Sequence, residues 1–232
     1  MSAIGRQFRQ RRGFTLVEML VVTVLVAGLL TVMAFHIYTI SQTWLKRNEG
    51  RFLPAHADGV TYYLRELFAQ ADIDQDEPRL TPPEGVEELP EEAIAFDLPP
   101  QWFGSESEPM LAVYQHHPGP LLQTAERPSP EVQSYLYYDD REQQLSLIWF
   151  GLLEPELTNQ RDLHHTVISS YVRTLEYVYY DEETDEWEVE DEPMEVDAAF
   201  PLPRYLKLTF GRGEQTTVRY VPFPLKTGDP VY

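Results

Sequence analysis

Cysteine is missing from all 232 residues. That excludes a disulfide framework, a cysteine nucleophile, a thiolate zinc site and an acylated lipoprotein cysteine. Basic residues are scarce: Lys and Arg number 18 against 38 Asp and Glu, for a net charge of −20. A chain this acidic lacks the basic face that phosphate binding needs, so nucleic acid is excluded as a partner. A surface held to anionic lipid by charge is excluded on the same ground. Catalytic signatures are missing too, with no nucleophile elbow, P-loop or zinc-binding helix. Gly211–Thr216 ("GRGEQT") opens like a dinucleotide fingerprint but ends in Thr and lies between two candidate strands. The adjacent pairs His116–His117 and His164–His165 do not chelate by themselves, because neighbours along a strand point to opposite faces. Tyr137, Tyr138, Tyr179 and Tyr180 read as sheet faces rather than a carbohydrate platform. No enzyme, cofactor or metal site is expected.

Long apolar runs are also scarce, and the principal one stands near the start, in "RQRRGFTLVEMLVVTVLVAGLLTVMAF". From Met19 to Phe35 only Thr23, Gly28 and Thr31 interrupt it, and Phe14–Val17 extend it to a length that spans a bilayer. Arg6, Arg9, Arg11 and Arg12 precede the run, with no acidic residue among the first thirteen. Without those four arginines 14 basic residues face 38 acidic ones, so the remainder sits near −24. A basic flank before the run and an acidic body after it place the N-terminus in the cytoplasm and the body outside it. The stretch "MAFHIYTISQTW" offers no small-x-small site for a signal peptidase. Glu18 is the anomaly, since an acidic side chain deep in a membrane helix costs about 2.5–3.5 kcal/mol. An ordinary anchor has no use for it.

The decapeptide "RRGFTLVEML" resembles the cleavage and methylation motif of type IV prepilins and type II secretion pseudopilins. The resemblance implies that a membrane aspartic peptidase, the prepilin peptidase, cuts between Gly13 and Phe14. Phe14 then becomes an N-methylated amino terminus, and Glu18 the fifth mature residue. A carboxylate and an ammonium remain charged inside lipid only when paired. Glu18 of one subunit would therefore meet the Phe14 amine of its neighbour and set their axial register, so that Glu18 serves subunit assembly. Major pilins usually carry a proline at mature position twenty-two, which is Phe35 here, and a C-terminal cysteine pair that is missing. A major pilin is not expected.

Beyond Phe35 the residues Ile37, Ile40, Trp44 and Leu45 recur near helical spacing, so the anchor continues as an amphipathic helix. Gly50, Pro54 and Gly59 are expected to weaken or kink it before "GVTYYLRELFAQADI" resumes the pattern to about Ala71. Asp72–Glu77 ("DIDQDE") superficially resembles a calcium loop, but Glu77 and Pro78 follow where glycine is needed, and it reads as a solvated loop. Short alternating strands dominate afterwards, with hairpins around Asp139–Arg141 and "GRGEQ". The organisation expected is a leader (1–13), a transmembrane helix (14–37), a helical arm (38–71) and an antiparallel β-rich domain (72–232). The fold class is α+β, with the long N-terminal helix packed on antiparallel sheet.

"YLRELFAQA", "VRTLEYVYYDEETDEW" and "LPRYLKLTF" are similar to the J-type minor pseudopilin of type II secretion, on Leu175, Tyr177, Trp187, Leu202, Pro203 and Leu208. That resemblance implies a structural subunit at the pseudopilus tip that helps initiate assembly for protein export. It implies other minor and major pseudopilins and an inner-membrane assembly platform as partners. It also implies a single-pass inner-membrane protein whose C-terminal domain is periplasmic. A minor type IV pilin serving adhesion or DNA uptake, and a membrane-anchored binding module using the same export route, are the alternatives.

Overall fold

The computed structural model describes residues 15–73, 80–86, 89–99, 109–124, 128–154, 156–157, 159–181, 184–196 and 199–224, without the side chains of 45–49 and 160. Two compact units divide at Arg51/Phe52. The helical arm expected over 38–71 falls across this division, and its residues from Leu53 onward belong to the core of the second unit.

Helix α1 spans Leu16–Ala69. Its stretch Leu16–Trp44 has a mean hydropathy of 2.5 with none of its residues buried, and is long and apolar enough to cross a membrane. Such a segment survives in lipid only if every polar group is met internally. The threonines obey this rule. Thr23, Thr31, Thr39 and Thr43 donate their hydroxyls to the carbonyls of Met19, Ala27, Phe35 and Thr39, at 2.7–2.9 Å.

Gly50, Pro54 and Gly59 do not interrupt the helix, and the expected weakening is absent. All three lie exposed, so the carbonyl of Gly50, left without a donor by Pro54, faces solvent and not a packed surface. Along one face, Leu53, Ala57, Val60, Leu64 and Leu67 are buried at alternating four- and three-residue spacing, a stripe that fixes the helix from within. The helix ends where the apolar stripe does: Gln70 N–H still donates to Glu66 O, and Ala71 N–H to Phe68 O.

Among the described residues nine strands form two antiparallel sheets. The first comprises β1 (Ile94–Asp97), β2 (Met110–Gln115), β3 (Val132–Asp139), β4 (Gln144–Gly151) and β5 (His164–Ser169), in sequence order. The second comprises β6 (Val172–Asp181), β7 (Glu186–Glu190), β8 (Tyr205–Arg212) and β9 (Gln215–Pro222), in the order β7-β6-β8-β9. The α+β class with an apolar N-terminal helix and antiparallel sheets is thus observed. Both expected hairpins are present. Asp139 Oδ1 accepts the N–H groups of Arg141 and Glu142, closing the β3–β4 turn. Gly213, at φ 59°, supplies the left-handed residue between β8 and β9.

Strand β6 explains an oddity of phase. Val172 and Leu175 are both buried although three residues apart, because the pairing with β8 shifts register between Val172 and Thr174. Leu111, Val113 and Leu147 of the first sheet and Leu175, Leu208 and Phe210 of the second meet the buried stripe of α1 in one core.

The two sheets differ in their other faces. In the first, Tyr114, Tyr135 and Phe150 form a second core beneath Ile73, Leu80, Val86 and Leu163. Gly85, at φ 100°, permits this cover, since a Cβ there would lie 1.9 Å from the carbonyl oxygen of Leu157. Burial raises the Tyr135 hydroxyl and the neighbouring Asp97 carboxyl alike. The second sheet has no such cover among the described residues.

His56 on α1 sits within a ring cluster. It stacks on Phe52 with centroids 5.6 Å apart, meets Tyr171 edge-on at 5.2 Å and shares a 2.9 Å hydrogen bond with Ser169 Oγ. Burial holds its imidazole below the usual 6.5. The neutral ring therefore stabilises the fold fully above pH 6.5, and this contribution is lost as the pH falls from 6.5 towards the folded-state value. Between pH 7.5 and 5.5 the unfolding midpoint of the wild type should fall further than that of His56→Phe. Equal falls in thermal melts would remove His56 from the account.

Candidate functional site

Thr15 caps the beginning of α1, and Glu18 is the third helical residue. The spacing Thr-x-x-Glu is that of a capping box. Thr15 N–H donates to Glu18 Oε2 at 2.8 Å, and Thr15 Oγ1 donates to the same oxygen at 3.0 Å. In return Glu18 N–H donates to Thr15 Oγ1 at 3.3 Å, and Met19 N–H reaches the Thr15 carbonyl at 3.2 Å. Two N–H groups that a helix start would otherwise leave bare to lipid, those of Thr15 and Glu18, are met within one turn, together with the Thr15 hydroxyl.

This arrangement gives Glu18 a local role as well, one that the residues "TLVE" spell. A carboxylate near the helix N-terminus also lies on the favourable end of the macrodipole. One oxygen, Oε2, takes both Thr15 bonds. Gly13 and Phe14, the expected cleavage and methylation residues, lie outside the described residues.

The other candidates do not converge into chemistry. His116 and His117 lie just past the end of β2, and their rings stand 4.6 Å apart. The strand argument against this pair therefore does not apply, because neither residue is in a strand. His116 Nδ1 pairs with Glu131 Oε1 at 3.5 Å, and that buried carboxylate also accepts Tyr114 O–H at 2.5 Å and Leu80 N–H at 3.3 Å. His164 stacks on Trp149 and bonds Glu154 Oε1 at 2.9 Å, which in turn accepts Gly151 N–H. Both acids tie loops to the first sheet. Among the described residues no three His, Asp or Glu side chains gather in metal-binding geometry. Of the Asp72–Glu77 loop, residues 74–77 lie outside the described residues.

The tyrosines are anchored by their hydroxyls. Tyr138 donates to the carbonyl of Arg173, joining the two sheets, and Tyr180 donates to Asp185 in the β6–β7 turn. Tyr179 accepts Met194 N–H at 3.1 Å. Gly211–Thr216 forms the β8–β9 hairpin.

Compared with known proteins, residues 8–34 match the family model described as the prokaryotic N-terminal methylation motif. No curated protein and no solved structure matches the chain. The prepilin-type motif, on an apolar helix followed by antiparallel sheets, fits the type IV pilin and pseudopilin superfamily.

The capping box separates the shape of Glu18 from its charge, because Gln closes the same box. Glu18→Ala should accelerate exchange of the Thr15 amide in detergent micelles by about fivefold, the equivalent of about 1 kcal/mol for a cap. Glu18→Gln should leave it near the wild-type rate. If all three proteins exchange alike, the box does not order the helix start.

Proposed function

We propose that the chain is a minor pseudopilin, of the J type, that stands at the tip of a type II secretion pseudopilus and helps initiate its assembly. The observation that carries this reading is the methylation motif placed on a helix whose large apolar side chains are all exposed from Leu16 to Trp44. Leu16, Leu25, Leu29 and Phe35 are each at least 60% exposed, a surface that lipid or sibling helices must cover. The role is structural: Glu131 with His116 and Glu154 with His164 hold loops to the first sheet.

In this reading a prepilin peptidase cuts between Gly13 and Phe14, and Phe14 is methylated. The domain lies in the periplasm, with α1 crossing the inner membrane once. Major and minor pseudopilins and the assembly platform are its partners. Glu18 Oε2 stays with Thr15, and the carboxylate as a whole meets the positive Phe14 amine of an adjacent subunit. The apolar helix supplies the adhesion and the ion pair supplies the register, since two bodies near −24 repel each other at long range.

The full chain, extracted in a nonionic detergent after expression with the minor pseudopilins of its own system, should be recovered with them at moderate salt. Glu18→Gln should reduce that recovery at least tenfold, because stranding one partner of a buried charge pair costs about 3–5 kcal/mol. Wild-type recovery with Gln would leave Glu18 as a helix cap only. Absence of sibling binding by the wild type would favour a membrane-anchored binding module.

A further inference from the structure

The outer face of the second sheet carries an apolar band beside the Glu176–Lys207 ion pair, with Val178 buried among exposed neighbours. Pairing places Val178 and Tyr180 of β6, Trp187 and Val189 of β7, Tyr205 of β8, and Val218 and Tyr220 of β9 on this side. Their inward neighbours Leu175, Leu206, Leu208 and Val221 are buried. The rings run across all four strands: Tyr180–Trp187 at 4.9 Å, Trp187–Tyr205 at 5.7 Å and Tyr205–Tyr220 at 6.3 Å. Trp187 is 54% exposed and Tyr220 48%. Val178, Trp187, Val189, Tyr205 and Tyr220 enclose a shallow hollow of about 290 Å³.

This band reaches the edge of the sheet at β7, whose five residues, Glu-Trp-Glu-Val-Glu, are all exposed. An edge strand offers unpaired backbone groups to an incoming strand. The side chains of β7 divide cleanly: Trp187 and Val189 lie with the aromatic band, and Glu186, Glu188 and Glu190 lie on the other face. Residues directly opposite in a sheet share a face, so this pattern dictates its complement. A strand that alternates apolar and basic residues would set its apolar side chains beside Trp187 and Val189 and its cations beside the three glutamates. A second copy of β7 would instead oppose glutamate to glutamate.

We propose that β7 and the aromatic band form a docking edge for a basic, alternating segment of another polypeptide, added to the sheet as a fifth strand. Charge complementarity selects the occupant. The chain carries −20 overall, so it draws cations from a distance and repels its own copies. The inference does not depend on assembly into a fibre, because every residue it uses lies in the second unit.

The probe is a fluorescent nonapeptide of alternating Lys and Val, titrated by anisotropy against the full chain in nonionic detergent micelles. A peptide of identical composition with its valines grouped at one end measures binding by charge alone. The alternating peptide should bind at least tenfold tighter than the grouped one. Trp187→Ala and Glu188→Lys, both at exposed positions, should each weaken it at least fivefold while the melting temperature stays unchanged. Equal affinity for the two peptides, no binding, or indifference to both substitutions would overturn the proposal. Sedimentation of the chain alone as a dimer that Trp187→Ala dissolves would assign the edge to a second copy, and would overturn it equally.

Discussion

Everything in this protein depends on an apolar helix surface that none of the described residues covers. From Leu16 to Trp44 no residue is buried, so the surrounding medium or neighbouring helices must supply what the fold withholds. In such a medium an unmet polar group costs several kcal/mol. The internal hydrogen bonds of the four threonines and the Thr15–Glu18 box remove that cost position by position. What is left polar at the helix start is one carboxylate. An acidic side chain stands where a hydrophobic residue would have cost less, and its Oε2 closes the box with Thr15.

The same element changes its duty along its length. Beyond Phe52 the stripe Leu53–Ala57–Val60–Leu64–Leu67 is buried, and both sheets lean on it. Arg219 bonds Asp58 at 2.7 Å, and Arg65 reaches the Tyr220 carbonyl at 3.2 Å, pinning β9 to the helix. These pairs are exposed and contribute little energy, but they fix which edge of the second sheet faces the helix and leave β7 as the far edge. A domain whose core needs part of its own anchor helix cannot be cut away from it at a sheet boundary.

How much of this was legible in the sequence varies by element, for physical reasons. The apolar run, the basic flank and Glu18 announce themselves by composition. The hairpins are legible because Asp139 and Gly213 carry specific turn chemistry. Helix α1 was expected to falter at Pro54, yet burial of the stripe Leu53–Leu67 outweighs the missing N–H of an exposed proline. Strand β5, "HHTVIS", escaped notice because it is a half-exposed edge without a clear apolar face. The division into two sheets was invisible, since it rests on pairing between strands such as β6 and β8 that are distant in the chain. The buried Glu131 escaped because its partners Tyr114, Leu80 and His116 come from three separate segments.

The central claim is that Glu18 is explained by what happens at Phe14, and the chemical state of that residue tests it most directly. Protein extracted from membranes of cells that contain a prepilin peptidase should be analysed by intact mass and by sequencing of its terminal peptide. The account requires a chain that begins at Phe14 and carries one added methyl group on its amine. A chain that still joins Gly13 to Phe14, or one cut beyond Phe35, would contradict it.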